Sequence, residues 1–177
     1  HGKQHSFPTR RSSDLSFGVA SLNAVAFYLL LSYMPTYVEQ ELGFSSDLAT
    51  ALSTAPLIVY IGSIMVMGHL SDTHGRRKML LIASVAFIVL TVPIFMLMGT
   101  RNVWVVLLCE IAFAIMLTIN DGTLATFLAE SFPTEVRYTG FALSFNTANA
   151  LLGGTAPTIA TALIQYTGSS LAPAYYL

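Results

Sequence analysis

Between two long apolar runs, at residues 68–78, the chain reads GHLSDTHGRRK. The run before it covers about residues 48–67, the run after it covers about residues 79–98, and neither contains a charged side chain. Each run is about 20 residues long, which is the length that a helix needs to cross a hydrocarbon core. The stretch therefore predicts two membrane-spanning helices joined by a short basic loop on one side of a bilayer.

Outward from this loop, the same pattern recurs along the rest of the chain. Hydrophobic residues make up 54% of the sequence and charged residues 10%, where a soluble domain carries about 25% charged residues. We predict an all-α integral membrane protein of antiparallel helices, in which five spans are complete and a sixth is cut short at residues 171–177. The predicted spans cover about residues 16–38, 48–67, 79–98, 103–129 and 138–165.

The distribution of basic residues predicts the orientation of these spans. Arg76, Arg77 and Lys78 lie in the loop at residues 68–78, and Arg137 lies on the same side of the predicted bundle, whereas Arg101 is the one base expected on the opposite side. Because cytoplasmic loops carry an excess of lysine and arginine, the side with four bases is predicted to be cytoplasmic. The first span then starts inside the cell.

Residues 1–15 read HGKQHSFPTRRSSDL and differ from everything that follows. They are polar and basic, and they contain neither the apolar region nor the cleavage site of a secretory signal. The part SFPTRRSSDL resembles a translated sequencing adapter, so we interpret residues 1–15 as a non-native segment. The alternative is a native cytoplasmic linker. In both cases residues 16–177 form the membrane part.

The residue types of the loop indicate a structural brace. Gly68 lets two helix ends approach closely, and Gly75 permits a tight reversal of the chain. Asp72 can accept charge-assisted hydrogen bonds from a nearby arginine. Arg76 and Arg77 hold the loop on the cytoplasmic side.

The same loop resembles the G-x-L-[SA]-D-R-x-G-R-R motif of the major facilitator superfamily. The resemblance implies that the loop braces two helices and takes part in gating. Thr73 stands where the family usually has a basic residue, which puts a full relay of charges in doubt. A metal site at His69 or His74 is not expected, because no third ligand is in view.

A second stretch, ESFPTEVRYTG at residues 130–140, follows the fourth span. Pro133 is expected to end that helix, Arg137 to bind its last carbonyls or to pair with Glu130, and Gly140 to let the next helix begin close to its neighbour. The stretch resembles the segment between the tenth and eleventh helices of the metabolite:proton symporter family. The resemblance implies that the chain belongs to the second half of such a transporter.

Two shorter stretches, YMPTY at residues 33–37 and PAYYL at residues 173–177, are similar to the osmoprotectant members of that family. The resemblance implies the C-terminal six-helix repeat of the major facilitator fold, in a multi-pass protein of the bacterial inner membrane. The implied partners are the lipid bilayer, the N-terminal half of the same transporter and a small polar metabolite, with no nucleic acid. No cofactor is expected, and the implied coupling ion is a proton.

Two acidic residues, Glu110 and Asp121, lie inside the fourth span. Because a charge in lipid costs at least about 2.5 kcal/mol, such residues face the bundle interior and are candidates for function. They are eleven residues apart, which returns to within about 20° of the same helix face. We predict that Asp121, and after it Glu110, couples protons or contacts the substrate, with an interhelical hydrogen bond as the alternative. The sequence Asn-Asp-Gly at residues 120–122 is expected to loosen the helix locally.

Other polar residues are also candidates for a central cavity. On the fifth span they form one face that ends in a Gly-Gly-x-x-Pro break, and broken helices expose backbone groups to a cargo in transporters. Close packing of small residues is the alternative. On the first span, Tyr33 and Tyr37 can instead be interfacial anchors, which suits Tyr37 better. The candidates are Asn146, Asn149, Gly153 and Pro157 on the fifth span and Asn23, Tyr33 and Tyr37 on the first.

No catalytic motif is present, so an enzyme is not predicted. The single cysteine, Cys109, excludes an internal disulfide framework. The candidate positions carry two acids and no base, which suits a zwitterion or a quaternary ammonium, such as proline or betaine, better than a dicarboxylate. The alternatives are a symporter for organic acids such as 2-oxoglutarate or citrate, an efflux antiporter, and a membrane fragment or sensor that transports nothing.

Overall fold

The computed structural model describes residues 10–131, 134 and 137–177, and the side chains of these residues from Phe17 onward except at positions 129 and 131. Within these residues the chain is helical, with no strand. In this described part of the chain, four helical segments are long and apolar enough to cross a membrane, and each overlaps one of the first four predicted spans. The helices are α1 (Arg10–Phe27), α2 (Met34–Gln40), α3 (Ser46–His74), α4 (Arg76–Met98), α5 (Val103–Ser131), α6 (Arg137–Ala148), α7 (Ala156–Thr167) and α8 (Ala172–Tyr176).

Two of the predicted spans contain π-helical turns. In the first span, α1 and α2 are joined by a π segment at Tyr28–Tyr33, and in the fifth span a second π segment at Asn149–Gly153 follows α6. The fifth span is thus two helices of 12 residues, α6 and α7, separated by the π segment and a turn. The break lies where the Gly-Gly-x-x-Pro sequence predicts it.

The helices α3 and α4 are longer than the apolar runs that predict them. Each continues toward the loop until only Gly75, with a φ of 91°, separates them. This backbone conformation is costly for any residue with a Cβ, so glycine makes the one-residue reversal possible. The helix α5 likewise runs without interruption through Asn-Asp-Gly at residues 120–122, and the expected loosening there is wrong. A broken backbone at this depth would leave unpaired peptide groups in the membrane interior.

The main core forms where the first π segment and α2 pack among α3, α4, α5 and α7. A series of rings runs through it, with centroid distances of 6.4 Å from Tyr33 to Tyr37, 5.2 Å from Tyr37 to Phe95 and 5.5 Å from Phe95 to Phe113. Large apolar side chains remain exposed along α3 and α4, among them Ile58, Ile61, Met65, Leu81 and Ile88. Such faces suit contact with lipid.

Candidate functional site

The site begins with an unusually close contact between α3 and α5. A Cβ added at Gly122 would lie 2.9 Å from the backbone nitrogen of Gly68 and 3.1 Å from the carbonyl oxygen of Ile64. Only glycine lets two helix backbones approach this closely, as in small-residue contacts between membrane helices. The contact brings the α3 side chains within reach of Asp121, the neighbour of Gly122.

Asp121 is the polar centre of the site. One carboxylate oxygen accepts a hydrogen bond of 2.5 Å from the hydroxyl of Tyr60 on α3, and the other accepts a hydrogen bond from the side-chain amide of Asn23 on α1. Asn23 is buried, with 3% of its surface exposed. The carboxylate therefore ties three helices together. Since a carboxylate has about four lone-pair positions, two bonds leave room for a ligand.

A cavity of about 370 Å³ lies beside this carboxylate. Its polar wall is formed by Asp121, Tyr60, Asn23 and Asn149. The side-chain amide of Asn149 donates a hydrogen bond of 2.8 Å to the carbonyl oxygen of Phe145, one turn earlier. The rest of the wall is apolar and mostly aromatic, with Phe27, Tyr28, Phe141, Phe145, Leu124 and Ala125. Among the described residues of this wall, Asp121 is the only charged one.

Glu110 lies in a separate and much smaller space. Its carboxylate accepts a hydrogen bond of 3.3 Å from the hydroxyl of Ser53 on α3, and 4% of the residue is exposed. The enclosed volume is about 10 Å³, between apolar residues that include Met34, Pro56 and Phe113. This is about the space for one water molecule. No solute of metabolite size fits there.

The structure brings together only some of the predicted candidates. Asp121, Asn23 and Asn149 line the cavity, whereas the side chain of Asn146 is exposed on α6 and does not. Tyr33 is buried in the main core. Tyr37 is 1% exposed and donates a hydrogen bond of 2.9 Å to the carbonyl oxygen of Ser170, so its interpretation as an interfacial anchor is wrong.

The remaining two candidates of the fifth span lie at its break. Gly153 ends the second π segment, and a Cβ there would lie 2.6 Å and 2.8 Å from Cδ2 and Cε2 of Tyr28. Pro157 is the second residue of α7, where its missing N–H breaks no helical hydrogen bond.

The stretch at residues 68–78 begins at the α3–α5 contact, since Gly68 is its first residue. Arg76 pairs with Asp72, at 3.1 Å, and with Glu130 at the end of α5. The loop thus connects α3, α4 and α5 through one guanidinium group. Arg77 is exposed beside it, and Arg137 and Gly140 lie in the first turn of α6. Pro133 lies outside the described residues.

The aromatic wall of the cavity was not predicted from the sequence. Phe141, Phe145 and Asn149 recur every fourth residue, so one helix face carries two rings and the amide that reaches the cavity. That spacing is a signal that the sequence contained. Tyr60 offered a second one, since a hydroxyl near the middle of a membrane span needs a hydrogen-bond partner.

Chemically, the site offers one carboxylate, two amides and several rings to a ligand that carries a positive charge. Within the part of the chain that the structure describes, no three side chains of His, Cys, Asp and Glu lie close enough to hold a metal ion.

The chain resembles several curated transporters of bacteria. It is 35% identical over 167 residues to a proline/betaine transporter of Escherichia coli strain K12, and equally similar over 167 residues to a glycine betaine/proline/ectoine/pipecolic acid transporter of Dickeya dadantii. It is 35% identical over 165 residues to an ectoine/proline transporter of Corynebacterium glutamicum. These alignments cover 92% to 94% of this chain and 33% of each relative, so the chain spans about a third of their length.

No solved structure matches the chain. The family model of the Major Facilitator Superfamily matches residues 16–177, which includes every side chain of the site described above. The chain is a membrane protein that belongs to the Major Facilitator Superfamily.

Proposed function

We propose that residues 16–177 form most of the second half of a proton-coupled symporter, which carries a small compatible solute such as proline or betaine across the bacterial inner membrane. Because the superfamily consists of transporters, the chain is part of a transporter and not of an enzyme. The observation that carries the proposal is the cavity beside Asp121, whose described wall contains one carboxylate and no basic side chain. The printed names of the relatives support the same class of solute.

The charge of the cavity favours a solute with a cationic end. A dicarboxylate would need a cationic clamp, usually an arginine fork, and the described wall holds none. The ammonium group of a zwitterion instead has Asp121 as its counter-charge. The carboxylate end of that solute is then held by the N-terminal half of the transporter, which is the partner of this chain in the proposal.

In this mechanism the two halves rock about the central site, and the solute and the proton bias the equilibrium between the two facings. Asp121 faces the solute. Glu110, enclosed without a cationic partner among the residues around it, carries the coupling proton. In an apolar enclosure a carboxylate is costly as an anion, so in this proposal the gain and loss of the proton are linked to the closing and opening of the enclosure. Loss of the proton then requires the helices around Glu110 to separate.

Uptake of labelled solutes by the full-length transporter tests this proposal. Cells that lack their own osmoprotectant uptake systems should accumulate proline and betaine, and a protonophore should abolish the accumulation. Accumulation of 2-oxoglutarate or citrate in place of these two solutes would contradict the proposed solute class. Accumulation that rises with the protonophore would indicate an efflux antiporter.

A further inference from the structure

Half of the ten described residues that line the cavity are aromatic, and four of these five form two pairs. Phe27 and Tyr28 are in edge contact, with ring centroids 5.9 Å apart and planes at 68°. Phe141 and Phe145 are stacked, with centroids 5.7 Å apart and planes at 11°. The first pair lies where α1 passes into the first π segment, and the second pair lies on α6. The cavity therefore lies between rings from two different spans.

The ring of Tyr28 is seated directly against the break in the fifth span. A Cβ at Gly153 would lie 2.6 Å from Cδ2 of this ring, which no real contact allows. The two π segments thus meet at this point, because Tyr28 begins the first and Gly153 ends the second. Turns of π-helix are rare and are found frequently at functional sites. Because residue 153 has no side chain, the Tyr28 ring has space to lie in the cavity wall.

Aromatic faces and a carboxylate together match one kind of cation especially well. A quaternary ammonium has no N–H to donate, and its charge is spread over methyl groups that pack against the faces of aromatic rings. We propose that the two aromatic pairs are the specificity determinant of this site, which hold a trimethylammonium group opposite Asp121. This inference rests on the proposed function, because it takes the cavity to be the solute site. It adds which part of that site distinguishes glycine betaine from proline.

Proline presents a different group to the same wall. Its secondary ammonium carries two N–H donors that lose their water on entering the cavity and need acceptors there. The lone pairs of Asp121 that Tyr60 and Asn23 leave free can supply them. Binding of proline therefore depends on hydrogen bonds to the carboxylate, whereas binding of glycine betaine depends on the charge of the carboxylate and on the aromatic rings. Removal of a ring should lower kcat/KM for glycine betaine more than kcat/KM for proline.

The test is the ratio of kcat/KM for glycine betaine to kcat/KM for proline in the full-length transporter. Phe145→Leu removes one ring face, and we expect it to lower kcat/KM for glycine betaine by about tenfold, and that for proline by less than about threefold. Phe145→Tyr keeps the ring and should restore the wild-type ratio. Gly153→Ala displaces the Tyr28 ring and should change the ratio in the same direction as Phe145→Leu.

Two control variants separate this effect from general damage. Phe87→Leu removes an aromatic side chain from the main core, away from the cavity, and Gly18→Ala adds a Cβ where nothing lies within 4 Å. Both should leave the ratio unchanged, whatever they do to the amount of transporter in the membrane. If the wild-type protein takes up both solutes but neither Phe145→Leu nor Gly153→Ala changes the ratio, the inference about the rings is overturned while the proposed function stands. Wild-type protein that accumulates neither solute would overturn the proposed function as well.

Discussion

Glu110 and Asp121 are both carboxylates of α5, and each accepts a hydrogen bond from a hydroxyl group of α3. What differs is the space in front of them. Asp121 faces a cavity of about 370 Å³ between aromatic rings, whereas Glu110 faces about 10 Å³ between apolar side chains. The same chemical group on the same helix thus has room for a solute at one level of the bundle and room for about one water molecule at the other.

The largest effect is expected from Asp121→Asn in the full-length transporter. The change removes the only charge from the described wall of the cavity and leaves the cationic end of the solute unpaired. Loss of one partner of a buried charge pair costs about 2 to 5 kcal/mol, so kcat/KM for proline and betaine should fall by about 30-fold or more. Initial uptake rates at several solute concentrations measure this loss. Uptake within about twofold of wild type would leave Asp121 without the role assigned to it.

Glu110→Gln should distinguish the role of Glu110 in proton coupling from the role of Asp121 in solute binding. The substitution keeps the size of the side chain and its contact with Ser53 but removes the group that gains and loses a proton. Accumulation driven by a pH gradient should be lost, whereas exchange of labelled for unlabelled betaine in reconstituted vesicles should stay within about threefold of wild type. If gradient-driven accumulation survives, the coupling proton is carried elsewhere.

Gly122→Ala tests the Asp121 level of the α3–α5 contact. The added methyl group overlaps the backbone of α3, and such overpacking costs about 1 to 3 kcal/mol. We expect a lower thermal-unfolding temperature for the purified transporter, together with weaker uptake, because Tyr60 moves away from Asp121. The matched control is Gly62→Ala on α3, where nothing lies within 4 Å of the added Cβ. An equal loss of thermal stability in both variants would show that the close contact is not the cause.

The smallest effect is expected at the loop, away from both carboxylates. The side chains of Asp72 and Glu130 are more than half exposed, and exposed ion pairs contribute about 0.2 to 1 kcal/mol. Arg76→Gln should therefore shift thermal unfolding by little and leave the KM for betaine unchanged. A change in the maximal rate without a change in KM would indicate that the loop acts in gating. A raised KM would contradict the separation of the loop from the solute site.

The sequence indicates the four long apolar helices because a helix that crosses the membrane needs about 20 apolar residues. It also predicts the break in the fifth span, since Gly153, Gly154 and Pro157 are the residue types that end or interrupt helices. The π segment at Tyr28–Tyr33 could not be predicted in this way. Its residues, YLLLSY, are ordinary for a membrane helix, and what distinguishes the segment in the structure is its contact with α5 and α7.

The carboxylates could be found from the sequence because a charge in a membrane span is rare and costly. The difference between them could not, since it depends on which side chains of other helices surround each one. The rings of Phe141 and Phe145 are apolar residues in an apolar run, so composition does not distinguish them from residues that face lipid. Asn146 was predicted to line the cavity because it is a polar residue on a membrane helix, but it is not among the residues of the cavity wall.

The central claim, that the solute binds at the Asp121 level of α5, can be tested by protection of an introduced cysteine. In a Cys109→Ser background, which has no other cysteine within this chain, Ala125→Cys places a thiol in the wall of the cavity. Ser53→Cys places a second thiol beside Glu110. Saturating betaine should slow labelling of the cysteine at position 125 by a small methanethiosulfonate reagent, and should slow it more than any change that betaine causes at position 53. Labelling at position 125 that proceeds at the same rate with and without saturating betaine and proline would contradict the account.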